Sequence, residues 1–214
     1  MRLNLRTALH RLAAGAAVAL VVTSAAIGTT ASAATATRAV GVSAAAAATP
    51  AVTAVPAENS GPHFLYVHIS GKFRCLEDRG SSHTAGVHID TWTCESYKAN
   101  EEWDALGPYV RNGALYVLWK NVASGLCMNV SGYSKANGAP IIQWPCSSTY
   151  TNELFKEGST EVGDSVMYKN DYSGKCLNVE GYGTANGTPL IQWTCGGVNG
   201  EPSTYPANEM IDVD

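Results

Sequence analysis

Charge is scarce in this chain of 214 residues: only 15% of them are Asp, Glu, Lys or Arg. After Pro62, ten Lys or Arg face seventeen Asp or Glu, and no run of basic residues occurs. Nucleic-acid binding rests on neutralising phosphates, so this balance excludes that partner. It also excludes an electrostatic membrane binder. There is no C-x-x-C pair and no His at ligand spacing, which speaks against a metal centre. G-x-S-x-G and H-E-x-x-H are both missing. Convincing helical periodicity is missing as well. Aromatic residues are absent from the first 62 positions: all five Trp, ten Tyr and three Phe come later, with all six Cys.

The aromatic-free start divides into two parts. "MRLNLRTALHR" is a short basic opening, and "LAAGAAVALVVTSAAIGTTASA" follows it as an apolar, small-residue run ending in Ala31-Ser32-Ala33. That order reads as a cleaved secretory signal over residues 1–33. A membrane span would want about 20 strongly apolar residues, which this Ala/Gly/Thr-rich run does not supply. Residues 34–62 are low-complexity Ala/Thr/Val/Pro and read as a propeptide or linker that cannot build a packed core. Residues 63–214, about 150 of them, are enough for one domain. The expectation is a secreted, extracellular, monomeric protein with no membrane contact after signal cleavage.

Within that domain the chain repeats itself. Cys75/Cys94, Cys127/Cys146 and Cys176/Cys195 enclose equal gaps, and Trp92, Trp144 and Trp193 each stand two places before the second Cys. "CMNVSGYSKANGAPIIQWPC" and "CLNVEGYGTANGTPLIQWTC" agree at thirteen of twenty positions. "CLEDRGSSHTAGVHIDTWTC" keeps the length and frame but less of the detail. After the cysteines come "NEEW", "NELF" and "NEMI". Three repeats result, at about 63–110, 111–162 and 163–214.

Each copy holds about four short β-forming runs, such as "ALYVLWK", "LCMNV", "PIIQWP" and "ELFKE", separated by Gly, Asn, Ser and Pro. Three copies of four strands are too few for a propeller, which needs roughly four blades or more. They fit an all-β, pseudo-threefold β-trefoil. Six cysteines allow fifteen pairings, and the repeat selects one disulfide within each copy. Each closes a loop worth about 3 kcal/mol in the chain-entropy model, as expected of an oxidising compartment. Gly132, Gly138, Gly181 and Gly187 read as turn residues needing unusual backbone angles.

From about His63 to Asp214 the chain resembles the ricin-B-type lectins, on "SGKCLNVEGYGTANGTPLIQWTC" followed by Asn-x-x-[aromatic or apolar]. The resemblance implies a carbohydrate-binding β-trefoil with no cofactor, whose partner is a mono-, oligo- or polysaccharide. It implies pockets built from Asn129, Trp144 and Asn152 in the second copy and Asn178, Trp193 and Asn208 in the third. The first-copy counterparts are Glu77, Trp92 and Asn100. The chemistry agrees, because a sugar offers an apolar C–H face and an edge of hydroxyls. An aromatic platform beside fixed donors and acceptors matches both.

Departures from the family pattern accompany these matches. The strongest family sites carry Asp two places after the first Cys, where this chain has Asn129, Asn178 and Glu77. A polar residue two places before the Trp survives only as Asp90; Ile142 and Ile191 replace it, and Gln143 and Gln192 are shifted by one, hence onto the other strand face. The Gln that follows the strand-opening Asn has become Glu101, Glu153 and Glu209. Tyr133 and Tyr182 could stack on a second sugar unit or pack over the barrel edge. The Trp residues are as often core as platform, and Trp103, Phe155 and Ile211 read as core.

Two rival functions come from other classes. A protein-binding trefoil of the hydrolase-inhibitor type would act through a protruding loop such as "CGGVNGEPSTYPANEM". A glycosidase would need two carboxylates at a defined separation. Glu77, Asp78, Asp90, Glu101, Glu102 and Asp104 cluster in the first copy, but read more simply as a solvated surface. "GDSV" (Gly163 to Val166) resembles a hydrolase nucleophile block, yet no Asp-x-x-His follows, and it reads as a turn. Non-catalytic binding is the expectation.

Overall fold

A computed structural model describes residues 53–54, 61–162, 165–196 and 206–214. The proposed signal, most of the linker, the first two residues of "GDSV" and the centre of the suspected loop lie outside them. Thirteen strands run through the described residues, interrupted only by short 3-10 turns. They are β1 (Thr53–Ala54), β2 (His63–Ile69), β3 (Lys72–Asp78), β4 (Ile89–Trp92), β5 (Glu102–Arg111) and β6 (Ala114–Asn121). Then come β7 (Cys127–Val130), β8 (Ile141–Trp144), β9 (Phe155–Val162), β10 (Ser165–Asn170), β11 (Cys176–Val179), β12 (Thr188–Trp193) and β13 (Ile211–Val213).

Pairing closes six of them into a ring. β2 pairs with β5, β5 with β6, β6 with β9, β9 with β10, β10 with β13, and β13 returns to β2. Six of the remaining seven form three antiparallel hairpins, β3–β4, β7–β8 and β11–β12. Each copy therefore gives two barrel strands and one hairpin between them, as the fourfold pattern within each repeat predicts. Six barrel strands capped by three hairpins around a pseudo-threefold axis make a β-trefoil. The linker is not wholly without structure: Thr53 and Ala54 pair with Val110 and Tyr109 on β5. A strand edge offers unpaired amides and carbonyls to any extended neighbour, whatever its side chains.

The barrel is filled by the residues that close each copy. Trp103 and Phe155 have no exposed surface and Ile211 only 1%. Trp103 also donates its indole N–H to the Leu76 carbonyl at 2.9 Å. Trp119 stands edge-on to Tyr168 with ring centroids 5.5 Å apart, both fully buried. Truncating any one of these aromatics to Ala would cost roughly 3–5 kcal/mol. Cys75–Cys94, Cys127–Cys146 and Cys176–Cys195 are disulfide-bonded, each with Cα atoms 5.0 Å apart. The bond ties the first hairpin strand to the residue two places beyond the end of the second.

The hairpins meet each other by a cyclic rule. The second-copy strand β8 holds the loop of the first copy: Gly86 N–H donates to the Gln143 carbonyl at 2.8 Å, and Gln143 N–H to that of Val87 at 2.9 Å. The Gln143 side chain donates to the carbonyls of Ser82 and Thr84 at 2.6 and 3.0 Å. In the same way Gln192 of the third copy clasps the second-copy loop at Ser134 and Ala136, both at 2.9 Å. In the first copy Thr91 takes the place of Gln and reaches the Thr188 carbonyl at 3.4 Å. The repeated Gln thus has a structural duty on the face away from the Trp, as strand alternation predicts.

Candidate functional site

In each hairpin the register places the first Cys opposite the Trp, and the residue two places later opposite position 90, 142 or 191. Directly opposed side chains leave an antiparallel pair on the same face. Asn129, Ile142 and Trp144 therefore share one face, as do Asn178, Ile191 and Trp193, and Glu77, Asp90 and Trp92. Trp144 is 41% exposed and Trp193 45%, and Trp92 is partly exposed, so none of the three is core. Each ring abuts a glycine of the neighbouring copy: Trp92 beside Gly187, Trp144 beside Gly86, Trp193 beside Gly138. Those glycines have φ of 81°, 90° and 80°, which strains any side chain placed there. Every wall thus takes its platform from one copy and its backing from another.

Behind each platform lies a buried polar network. Asn152 donates to the Asn129 Oδ1 and to the Val130 carbonyl, both at 2.9 Å. Asn129 in turn donates to Glu153 Oε1 at 2.9 Å, and the other Glu153 oxygen accepts the Ser147 amide at 2.7 Å. The third copy repeats this. Asn208 donates to Asn178 at 3.0 Å, Asn178 to Glu209 at 3.0 Å, and the Gly196 amide to Glu209 at 2.7 Å. In the first copy Asn100 donates to Glu77 at 2.9 Å, and the Glu95 amide to Glu101 at 2.7 Å. The sequence-predicted pairs are brought together in each copy: Asn129 with Asn152, Asn178 with Asn208, and Glu77 with Asn100.

The Glu residues that looked like a mere departure are the anchors of this network. Burial pushes the Glu153 carboxyl up to about 7, against the Ser147 amide and the Asn129 side chain, which favour its ionised form. Burial also raises Glu209 and Glu101. A fixed Glu after each Asn was the available signal, since an exposed residue has no reason to recur in three copies. Asn129 and Asn178 are only 5% and 6% exposed. Each has two N–H donors and two acceptor lone pairs, and one of each is used in these internal bonds.

The first copy differs in kind. Glu77, Asp78, Asp90 and Glu101 are 5%, 0%, 1% and 0% exposed, so the cluster is not the solvated surface that its charge pointed to. The positions face inward because the frame of the repeat puts them there: Asp78 occupies the place of Val130 and Val179, and Asp90 that of Ile142 and Ile191. Burial, with the Asp90 charge adding to it, pushes Glu77 up to about 7. Asp78 is likewise pushed up to about 7 by burial. Burial raises Asp90 too, although Arg79 donates to it at 2.5 Å and Glu77 lies within hydrogen-bond reach. Glu102 and Asp104 are only partly buried.

Two tyrosines stand at the hairpin tips. Tyr133 and Tyr182 are 42% and 53% exposed, with φ of 49° and 56°. The left-handed region is uncommon for any residue but glycine. Their first-copy counterpart is Ser81. Tyr150 and Tyr172, to which the repeat gave no prominence, cluster with Tyr133.

A family model described as ricin-type beta-trefoil lectin domain-like matches residues 65–144 and again 99–193, together more than half of the chain. No curated protein matches the chain. Among solved structures, a designed threefold-symmetric protein, ThreeFoil, is 23% identical with a TM-score of 0.58, over 71% of this chain and 96% of that one. The agglutinin of Rhizoctonia solani is 14% identical at a TM-score of 0.55, covering 74% and 98%. An exo-beta-1,3-galactanase from Clostridium thermocellum is 22% identical at 0.59, covering 73% of this chain but 30% of that one. At these identities the likeness is one of fold.

Proposed function

The chain belongs to the ricin-type beta-trefoil lectin domain-like family, and from that we propose that it is a secreted module that binds saccharides without catalysis. The observation that carries this reading is the recurrence of one arrangement in the second and third copies: a half-exposed Trp beside an Asn with one donor and one acceptor not used by the protein. The Trp face suits the C–H side of a pyranose ring, and the Asn suits a pair of hydroxyls. The second and third copies present this with an Ile between the two groups, and they are the principal pockets: Asn129, Trp144 and Asn152, and Asn178, Trp193 and Asn208. Tyr133 and Tyr182 flank them. Glu77, Asp90, Trp92 and Asn100 make a divergent third pocket. Pockets spread around an axis could engage one polysaccharide together, with an avidity none has alone.

The domain boundaries belong to the same proposal: a signal at 1–33, a linker or propeptide at 34–62, and the lectin domain at 63–214 acting as a monomer. Three disulfides accord with an extracellular setting. The glycosidase alternative loses support from the first copy itself. A retaining pair stands about 5 Å apart with sugar between its members, whereas Glu77 and Asp90 are buried and within hydrogen-bond reach of each other.

The test is retention of the full chain on a panel of insoluble and immobilised polysaccharides, beside the Trp144→Ala/Trp193→Ala variant. We expect retention on at least one, lost in the variant while its thermal unfolding is preserved. A folded protein retained on none, or a variant retained as well as the parent, would turn attention to a protein partner.

A further inference from the structure

We propose that Tyr133, Tyr150 and Tyr172, with Lys135, form a second saccharide subsite that makes the second-copy pocket a reader of chains rather than of single sugars. The inference rests on the lectin reading above and goes beyond it by assigning a site and a ligand length. Tyr133 stands edge-on to Tyr172, centroids 5.0 Å apart at 89°, and to Tyr150 at 6.4 Å and 80°. The Lys135 ammonium lies 4.7 Å from the Tyr172 ring centroid, a cation–π contact that pins that ring. Tyr133 and Tyr150 remain 42% and 44% exposed, so the cluster is not a buried core.

The fold does not require these rings. The corresponding positions around the first pocket are Ser81, Lys98 and Ala123, and the backbone contacts are the same there. The Glu101 amide donates to the Lys98 carbonyl as that of Glu153 does to Tyr150, and Ala123 N–H to Ala99 as that of Tyr172 to Thr151. Near the third pocket Tyr182 recurs, but Pro206 takes the place of Tyr150. Only the surroundings of the second pocket hold the set, with Tyr172 contributed by the third copy, and Tyr133 holds its place in it with a left-handed φ of 49°.

The cluster is continuous with the pocket. The Tyr150 backbone carbonyl accepts the Glu153 amide, the Glu153 carboxylate accepts from the Asn129 side chain, and Asn129 shares a face with Trp144. In this assignment the first sugar sits on Trp144 and Asn129, and the next units sit on the tyrosines beside that network. Their ring faces match further pyranose C–H surfaces, and the phenols and the Lys135 ammonium match hydroxyls. The ligand class is an oligosaccharide of pyranose units.

The experiment compares xylose with xylohexaose and galactose with β-1,3-galactohexaose by calorimetry, using the full chain carrying Trp193→Ala to silence the third pocket. Against that background it adds Tyr150→Ala/Tyr172→Ala, and separately Tyr133→Gly, which removes a ring while relieving its backbone. We expect the hexasaccharide-to-monosaccharide affinity ratio to fall about tenfold in both, the scale of losing one aromatic hot spot, with Tyr133→Gly unfolding no earlier than its parent. An unchanged ratio, with saccharide still bound, overturns the subsite alone. No binding of any of the four sugars by the parent or by the background overturns the second pocket as a lectin site, and the subsite with it.

Discussion

Replacing Asp78 by Val should stabilise this protein, and more so at pH 8 than at pH 5. Asp78 is fully buried where the other copies place Val130 and Val179, also fully buried. Neither carboxyl oxygen makes a well-formed hydrogen bond, and the nearby Ser82 backbone offsets only part of the burial cost. The folded-state pKa is about 7 against an ordinary 3.8. The folded state therefore holds a proton that the unfolded chain has released, and stability falls as pH rises from about 4 to 7. Each pH unit in that window is worth about 1.4 kcal/mol, so the full penalty above pH 7 is about 4 kcal/mol. Between pH 5 and pH 8 the wild type loses about 3 kcal/mol that the Val variant does not. At about 2–4 °C per kcal/mol for a domain of this size, the gain in Tm at pH 8 should exceed that at pH 5 by about 6–12 °C. Calorimetry with the disulfides intact reads this directly. A gain equal at both pH values would mean that packing, not ionisation, is responsible. No gain at all would refute the assignment of Asp78 as a misfit in an apolar slot.

Two further substitutions probe the seams and the charge. Gln143→Ala removes both side-chain clasps on the first-copy loop, two hydrogen bonds worth about 0.5–1.5 kcal/mol each, so a loss of about 1–3 kcal/mol should appear in urea melts. Asn129→Asp/Glu153→Gln exchanges the two ends of one hydrogen bond and moves the carboxylate to the pocket wall. Charge-assisted acceptance from sugar hydroxyls is roughly twice as strong as the neutral kind, so saccharide affinity should rise about tenfold, as titration with the retained sugar would show.

The barrel, the hairpins, the disulfides and the left-handed glycines were all legible because each recurs at a fixed spacing, and a spacing kept three times is a geometric constraint. So was the opposite direction of Gln143 and Gln192, which follows from strand alternation. The task of those Gln residues was not legible, since their partners at 82, 84, 134 and 136 belong to other copies. The first-copy acids misled for a related reason: charge alone reads as surface, and only the frame of Val130, Val179, Ile142 and Ile191 shows that positions 78 and 90 face inward. Tyr150 and Tyr172 escaped notice because they join Tyr133 from two different copies, and no repeat alignment relates them.

The cyclic clasp bears on how such a molecule can be remodelled. Every pocket wall is a joint product, with Trp144 from one copy backed by Gly86 from another, so a copy transplanted alone would carry half of two sites and the whole of none. A chain made by concatenating the third copy with itself would instead put Gln192 where Thr91 now meets the third-copy loop, against positions 183 and 185 in the frame of Ser134 and Ala136, and Trp193 against Gly187. Concatenating the first copy would triple its defects, with Asp78 buried three times and Thr91 at every seam. The unit of inheritance in this fold is therefore the junction between copies, and a library that varies the two sides of one junction together explores specificity without loosening the ring.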